Sequence, residues 1–286
     1  MLGAGKWQLR DCERIIVRDV GLLGRRHVLI GVTRVRNEAL VLRDTLDYVG
    51  RHVDAIVAYD DASTDQTREV LCSNAKVALI VANGSWEGDI KARKIAEGRN
   101  RGLLLQIARA QLQFDWMFCF DADERVIGDL RGFAAGPRAS DCDGVRIRLF
   151  DAYMTPDDCA PYRSDRELLG FRRFFGPEQR DILMLWRNSP AVIFAEHHGR
   201  EPGGIERVRT EFYCQHTTAS HCRSTIGRRH AITISGIFHS IPTDGSGAIA
   251  KVGQSIRNLI SCGRCINGVM HSLLTPSRFD LAPEEP

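Results

Sequence analysis

Two aspartates one residue apart close the segment Trp116-Met117-Phe118-Cys119-Phe120-Asp121-Ala122-Asp123-Glu124. The five aromatic or apolar residues before them suit a strand inside a parallel sheet, and open α/β sheets bind ligands outside the carboxyl ends of such strands. A carboxylate pair at that position can share a hard divalent cation through oxygen ligands. Such a cation needs an anionic partner, and a phosphate ester or a diphosphate is the chemistry it would serve.

Two earlier strand ends carry polar residues of a related kind. Residues 27–32 are an apolar strand leading into Thr33-Arg34-Val35-Arg36-Asn37-Glu38, and residues 55–59 are a second leading into Asp60-Asp61. Carboxylates there can accept hydrogen bonds from base N–H groups or ribose hydroxyls. The intervening elements follow from periodicity. Ala39, Leu42, Leu46 and Val49 have helical spacing, and Ser63-Thr64-Asp65-Gln66 resembles a capping box opening a helix toward Leu71. Residues 77–81 read as a third strand. Residues 90–112 read as a long helix, with Ala92, Ala96, Leu103, Ile107 and Ala110 on one face. Arg99 falls on that same face, where a guanidinium needs a buried partner or a cavity holding an anion. Strand and helix alternate through the opening motif, which implies an α/β fold with a mostly parallel sheet flanked by helices.

Beyond that motif the pattern loosens. Residues 144–150 suggest another strand. Residues 151–204 are irregular and rich in arginine, aromatic residues, proline and glycine, with short apolar runs at 182–186 and 191–195. Helical patterns resume at 224–238 and 250–274. The expected organisation is an N-terminal extension (1–26), an α/β core (27–150), an acceptor or catalytic region of the same domain (151–240), and a C-terminal helical segment with its tail (241–286).

With 43% hydrophobic and 26% charged residues, the 286-residue chain can bury a substantial core. A net charge of +3 gives no case for nucleic acid as a partner. No apolar stretch approaches a membrane span, and the first ten residues lack the apolar centre of a secretory signal. The expected location is the cytoplasm, with peripheral membrane association left open. The basic residues comprise five lysines and 34 arginines. Arginine grips phosphates and carboxylates bidentately, although genome composition accounts for the bias equally well. Nine scattered cysteines without a secretion signal read as reduced thiols.

Thr33-Arg34-Val35-Arg36-Asn37-Glu38, Asp60-Asp61-Ala62-Ser63-Thr64-Asp65, Gly98-Arg99-Asn100-Arg101-Gly102-Leu103 and Asp121-Ala122-Asp123-Glu124, in that order, resemble the motifs of the family 2 glycosyltransferases of the GT-A fold. The resemblance covers residues 27–130. It implies a metal-dependent, inverting, hexosyltransferase-like enzyme that moves a sugar from a nucleoside-diphosphate sugar to an acceptor hydroxyl or amine. It implies Mn2+ or Mg2+ as the cofactor. The acceptor would be a saccharide, a lipid-linked precursor or a small natural product. Carried over by position, Thr33 and Glu38 would lie against the nucleoside, and Asp61, with Asp60 beside it, would bind base or ribose. Arg99 would face the donor diphosphate. Asp121 would approach the ribose or the metal, and Asp123 would be the main metal ligand. His216 matches the late histidine that serves as a further metal or diphosphate ligand. The general base would come from Asp157, Asp158, Asp181, Glu196 or Glu201, with Glu196 preferred because it follows the apolar run 191–195. Arg34-Val35-Arg36 departs from the proline or aromatic residue that many relatives carry.

Other chemistries compete. A phosphatase of the haloacid dehalogenase type also uses Asp-x-Asp, but it places the motif near the first strand and wants Thr or Val where Arg125 stands. A nucleotidyltransferase wants a glycine-rich first loop, which residues 33–38 lack. A glycosyltransferase-like scaffold that binds without turnover would keep the same residues. Cys214, His216, His221 and Cys222, with Cys262 and Cys265, could be read as a zinc site, although buried thiols fit their spacing better. Arg163, Arg166, Arg172, Arg173 and Arg180 among Tyr162, Phe171, Phe174 and Phe175 would make either an acceptor platform or a loop packed by its own aromatic residues.

Overall fold

Apolar runs too short to make helices lie side by side at the centre of the molecule. A computed structural model describes residues 8–153, 161–172, 174–195 and 198–217. Strands β2 (Arg26–Val35), β3 (Ala55–Asp61), β4 (Val77–Asn83) and β5 (Gln113–Cys119) form a parallel set in the order β4-β3-β2-β5. Helices α2 (Ala39–Val49), α3 (Thr67–Ser73) and α4 (Ile90–Gln111) connect them. Neighbouring strand residues alternate between two apolar layers. Leu29, Ile56, Trp116 and Phe118 pack with Leu42, Leu46 and Leu71 on one face, while Ile30, Val57, Tyr59 and Met117 pack with Leu103 and Ile107 of α4 on the other. Cover on both faces explains why these strands read as continuous apolar runs.

The flanks are antiparallel. On one side β1 (Glu13–Val17), followed by the short helix α1 (Val20–Leu23), adds to the free edge of β4. Residues of the N-terminal stretch thus supply the edge strand of the main sheet. On the other side lie β8 (Phe174–Arg187), β7 (Gly144–Tyr153), β9 (Val208–His216) and β6 (Glu124–Ile127), in that order outward from β5. Within this half only β7 and β9 run parallel. Helix α5 (Leu130–Ala135) follows β6.

Three local expectations change. The capping box at residues 63–66 does not form. Helix α3 begins at Thr67, with Asp65 accepting from the Thr67 amide at 3.0 Å and from its hydroxyl at 2.5 Å. The run 182–186 is the end of a 14-residue strand. The run 191–195 is not a strand, since Ile193 makes a single bridge to Gly203, so the strand-end reasoning behind Glu196 has no strand beneath it. Glu196, Asp157, Asp158 and the helical patterns after residue 217 lie outside the described residues. Among the described helices none is long and apolar enough to cross a membrane.

Candidate active site

The carboxyl ends of β2, β3 and β5 meet on one edge of the sheet, and their loops are stitched together. The loop after β2 turns at Asn37 (φ 55°), and the loop after β3 turns at Ala62 (φ 54°). Asn37 Oδ1 accepts from the Thr64 amide at 2.8 Å, the Asn37 amide donates to Ser63 Oγ at 3.1 Å, and the Glu38 amide donates to Thr67 Oγ1 at 2.7 Å. The turn 121–124 is held from below by helix α2. Arg125 is fully buried, pairs with Asp44, and donates to the Glu124 carbonyl at 2.8 Å and to Thr45 Oγ1 at 3.1 Å. Thr45 Oγ1 itself donates to the Ala122 carbonyl, and Tyr48 OH donates to the Val126 carbonyl at 2.7 Å.

The two aspartates of this turn have different surroundings. Asp121 lies between two guanidinium groups, with Oδ1 at 3.1 Å from Arg101 and Oδ2 at 3.2 Å from Arg200. Burial pushes its carboxyl upward, but Arg200 and then Arg101 outweigh that and bring it down to about 2. Arg200 also pairs with Glu124, which is buried and accepts from the Asp121 amide at 2.9 Å. Asp123 instead faces His216, with Oδ2 at 3.3 Å from Nε2. The other ring nitrogen, Nδ1, lies 2.8 Å from Asp151 Oδ1. The hydrogen bond to Asp123 raises the imidazole to about 10, reinforced by Asp151. Strand β9 makes this meeting, because His216 is in register with Glu124 on β6 and with Asp151 on β7.

Glu38 completes the acidic edge. Burial, then the charges of Asp123, Asp121 and Asp65, raise its carboxyl to about 7. Crowding of this sort is what a cation or a proton relieves.

The remaining expected residues are placed as follows. Thr33 is buried, and its hydroxyl has no hydrogen-bond partner among the described residues. Asp60 is wholly buried, with Oδ2 on Arg68 at 2.6 Å and Oδ1 accepting from the Ser63 amide at 3.1 Å, so it holds the loop and offers no surface to a ligand. Asp61 is paired with Arg34 at 2.5 Å and accepts from Asn83 Nδ2 at 2.9 Å. Arg36 donates to the Asp61 carbonyl at 2.8 Å and lies 3.7 Å over the Trp86 ring. The unusual Arg34-Val35-Arg36 therefore binds the neighbouring strand end.

Arg99 takes the first of the two options its position left open, a buried partner. Its guanidinium pairs with the buried Glu13 of β1, with one contact at 2.7 Å, and donates to the Gln8 carbonyl at 2.5 Å. The expected place facing a diphosphate is not where its donors go. The residue of that segment that reaches Asp121 is Arg101, two positions along. Of the other base candidates, Asp181 lies 3.4 Å from Arg148, and Glu201 is paired with Arg146 at 2.6 Å.

Sequence reasoning missed Arg101, Asp151 and Arg200. Arg101 carried a usable signal, as a second arginine in the same helical motif. Arg200 lies on a turn that packs against α4 at Gly98, where a Cβ would fall 2.0 Å from the His198 carbonyl oxygen and 2.6 Å from that of Ala195.

Among the described residues no three carboxylate, imidazole or thiol groups form a ready metal cage. Magnesium and manganese at phosphate sites take one or two protein ligands and complete their shell with substrate phosphates and water. Asp123 and His216 supply an oxygen and a nitrogen of the right hardness, and Asp151 on Nδ1 is the partner that a ligating imidazole uses to fix its orientation. The donor set fits a cation shared with a diphosphate.

No protein-family model and no curated protein matches the chain. Among solved structures it is similar to a mannosyltransferase from Pyrobaculum calidifontis in complex with GDP-Man and Mn2+, at 15% identity and a TM-score of 0.37 over 68% of this chain and 57% of that one. It is also similar to glucosyl-3-phosphoglycerate synthase from Mycobacterium tuberculosis in complex with Mn2+, UDP and glucosyl-3-phosphoglycerate, at 18% identity and a TM-score of 0.27 over 46% and 48% of the two chains. HddC from Yersinia pseudotuberculosis matches at 10% identity and a TM-score of 0.33 over 65% and 92%. The first two matches span about half the length of those proteins. At these scores the functional reading rests on the site itself.

Proposed function

We propose that this chain is a metal-dependent glycosyltransferase that moves a sugar from a nucleoside-diphosphate sugar to an acceptor, with inversion at the anomeric carbon. One observation carries the reading. An acidic edge at the carboxyl ends of parallel strands contains Asp123 and His216 in contact, with Asp151 behind the histidine and Glu38 crowded beside them. Mn2+ or Mg2+ bound there would neutralise the charge that builds on the leaving nucleoside diphosphate. Glu38 would border the side on which the nucleoside lies, with the buried Thr33 and the paired Asp61 supporting the strand ends beneath it. In the transfer, the acceptor oxygen forms a bond to the anomeric carbon, the bond from that carbon to the phosphate oxygen breaks, and its electron pair leaves with the diphosphate. The acceptor proton passes to a general base from the region after the metal motif; Glu196 is proposed for it on sequence position alone. The acceptor is a saccharide, a lipid-linked precursor or a small natural product.

The test is release of nucleoside diphosphate from a panel of UDP- and GDP-sugars in the presence of Mn2+. Release that chelator and Asp123→Ala both abolish, with an unchanged melting curve for the variant, supports the reading. Release that survives both treatments removes the metal from the mechanism. Binding of a donor with no turnover in the presence of any acceptor would make the chain a binding scaffold.

A further inference from the structure

Only Ala122 separates the two aspartates of the strand-end turn, yet their side chains are committed differently. We propose that Arg200 is a positioning residue that, together with Arg101, withholds Asp121 from cation ligation and leaves the cation to Asp123 and His216. This rests on the metal-dependent reading above.

Both carboxylate oxygens of Asp121 are occupied, Oδ1 by Arg101 at 3.1 Å and Oδ2 by Arg200 at 3.2 Å. A dication approaching them would have to displace a guanidinium and would meet the repulsion of two fixed positive charges. Displacement is costly because Arg200 is anchored elsewhere. It is bidentate with Glu124, whose side chain is only 2% exposed, and it donates to the Cys119 carbonyl at 3.4 Å. Glu124 in turn accepts from the Asp121 amide at 2.9 Å. One ion pair therefore fixes both the backbone and the side chain of Asp121. Arg101 is anchored in the same way, with Nη1 donating to Cys119 Sγ at 2.7 Å and a side chain 5% exposed.

Asp123 stands outside this clamp. Its carbonyl accepts from the Thr217 amide at 2.9 Å, and its carboxylate meets His216. A cation can replace the Nε2 proton between Asp123 and His216 without touching an arginine. The Asp-x-Asp pair thus divides its work, with one carboxylate locked into the frame and the other left to ligate. The arginine that enforces the division comes from a turn 76 residues beyond Glu124.

The experiment is Mn2+ binding to the full chain followed by electron paramagnetic resonance, with Mn2+ alone and with UDP or GDP added, and with a melting curve for each variant. Asp121→Asn is expected to change Mn2+ affinity by less than threefold, and Asp123→Asn to weaken it at least tenfold. Arg200→Gln frees Oδ2 of Asp121 and is expected to tighten Mn2+ binding several-fold, a gain that disappears in the double variant Arg200→Gln/Asp121→Asn. If Arg200→Gln does not fold, Arg200→Lys takes its place, since one ammonium cannot hold both Glu124 and Asp121 as the guanidinium fork does. Equal losses from Asp121→Asn and Asp123→Asn overturn the division of work, as does a folded Arg200 variant with unchanged Mn2+ binding. Failure of the unaltered chain to take up Mn2+ under every condition overturns the metal reading itself.

Discussion

Arg99→Met separates a structural arginine from a ligand-binding one. Glu13 has no exposed side-chain surface, and the Arg99 side chain is 8% exposed. The Glu13 oxygens receive Arg99 on both sides, the Tyr59 hydroxyl at 2.5 Å and the Arg10 amide at 2.8 Å. Methionine fills the volume but leaves the carboxylate buried with its two neutral donors. Removing one partner of a buried pair costs about 3–5 kcal/mol, which for a chain of this size corresponds to a fall in melting temperature on the order of 10 °C. The pH dependence gives a second check. Burial pushes the Glu13 carboxyl up, but the hydrogen bonds from Arg99, Arg10 and Tyr59 outweigh it and hold the group below its ordinary value. The stability it contributes is therefore present above the unfolded carboxylate range and is lost as pH falls through the lowered folded value. The gap between the unaltered chain and Arg99→Met should be full at pH 7 and close in acid. The double variant Glu13→Gln/Arg99→Met should recover part of the loss. Urea unfolding followed by circular dichroism measures all three, and UDP and GDP binding is measured well below the melting temperature. A variant of unaltered stability that binds nucleoside diphosphates tenfold more weakly would refute the structural assignment and return Arg99 to the donor site.

Glu38→Gln tests the crowding of the acidic edge. The folded carboxyl at about 7 lies above its unfolded range, so the chain carries a penalty that is absent below about pH 4.5 and complete above pH 7. In chelator, Glu38→Gln should be more stable than the unaltered chain at pH 8 by about 1–3 kcal/mol, the range allowing for partial solvent screening, and equal to it at pH 4.5. Equal urea midpoints at pH 8 would show that burial and the neighbouring carboxylates together do not raise Glu38. Gly98→Ala tests the docking of the turn that carries Arg200. The added methyl meets two carbonyl oxygens at 2.6 Å or less, and a gain in helix propensity of at most about 1 kcal/mol does not offset that clash. Tryptic cleavage after Arg200 should accelerate and sugar transfer should fall at least tenfold, with the circular dichroism spectrum retained. Unchanged proteolysis would mean that the turn is not seated on α4.

What the sequence showed and what it concealed follow from how local each signal is. The strands β2 to β5 are apolar runs covered on both faces, so their existence was readable within a few residues of their ends, whereas the expected stripe on α4 is blurred, because residues 98–105 are buried all round the helix and Ala110 is exposed. Asp121 and Asp123 were readable as a strand end for the same reason. The first half of β8 contains Gly176 and Pro177 among polar residues, and pairing with β7 makes it a strand in the absence of any pattern of its own. Arg99 was correctly seen to need a burial partner, but Glu13 lies 86 residues away and no spacing rule connects them. Arg200 had no signal at all, since its pairing with Glu124 depends on the turn at Gly98.

The placement of His216 shows how one backbone irregularity decides which residue reaches the site. From Gly144 to Arg146 the β7–β9 pairing joins residues 64 apart in sequence, as in Arg146 with Thr210. From Arg148 onward it joins residues 65 apart, as in Arg148 with Tyr213 and Asp151 with His216. One extra residue is therefore accommodated in β9, at Glu211–Phe212, and Phe212 takes φ 67°. A β-bulge of this kind re-aims the strand beyond it. Without it, Gln215 would stand opposite Asp151, and His216 would move one position on and turn to the other face. The strain at Phe212 is accommodated by its neighbours. Its ring makes an edge contact with Phe133, and Gly128 (φ 131°) leaves the space that a Cβ would take, 2.3 Å from the Phe212 ring. The residues that bring the imidazole to Asp123 are thus Phe212 and Gly128, neither of which touches it. Their side chains carry no chemistry that a search for ligands or bases would select.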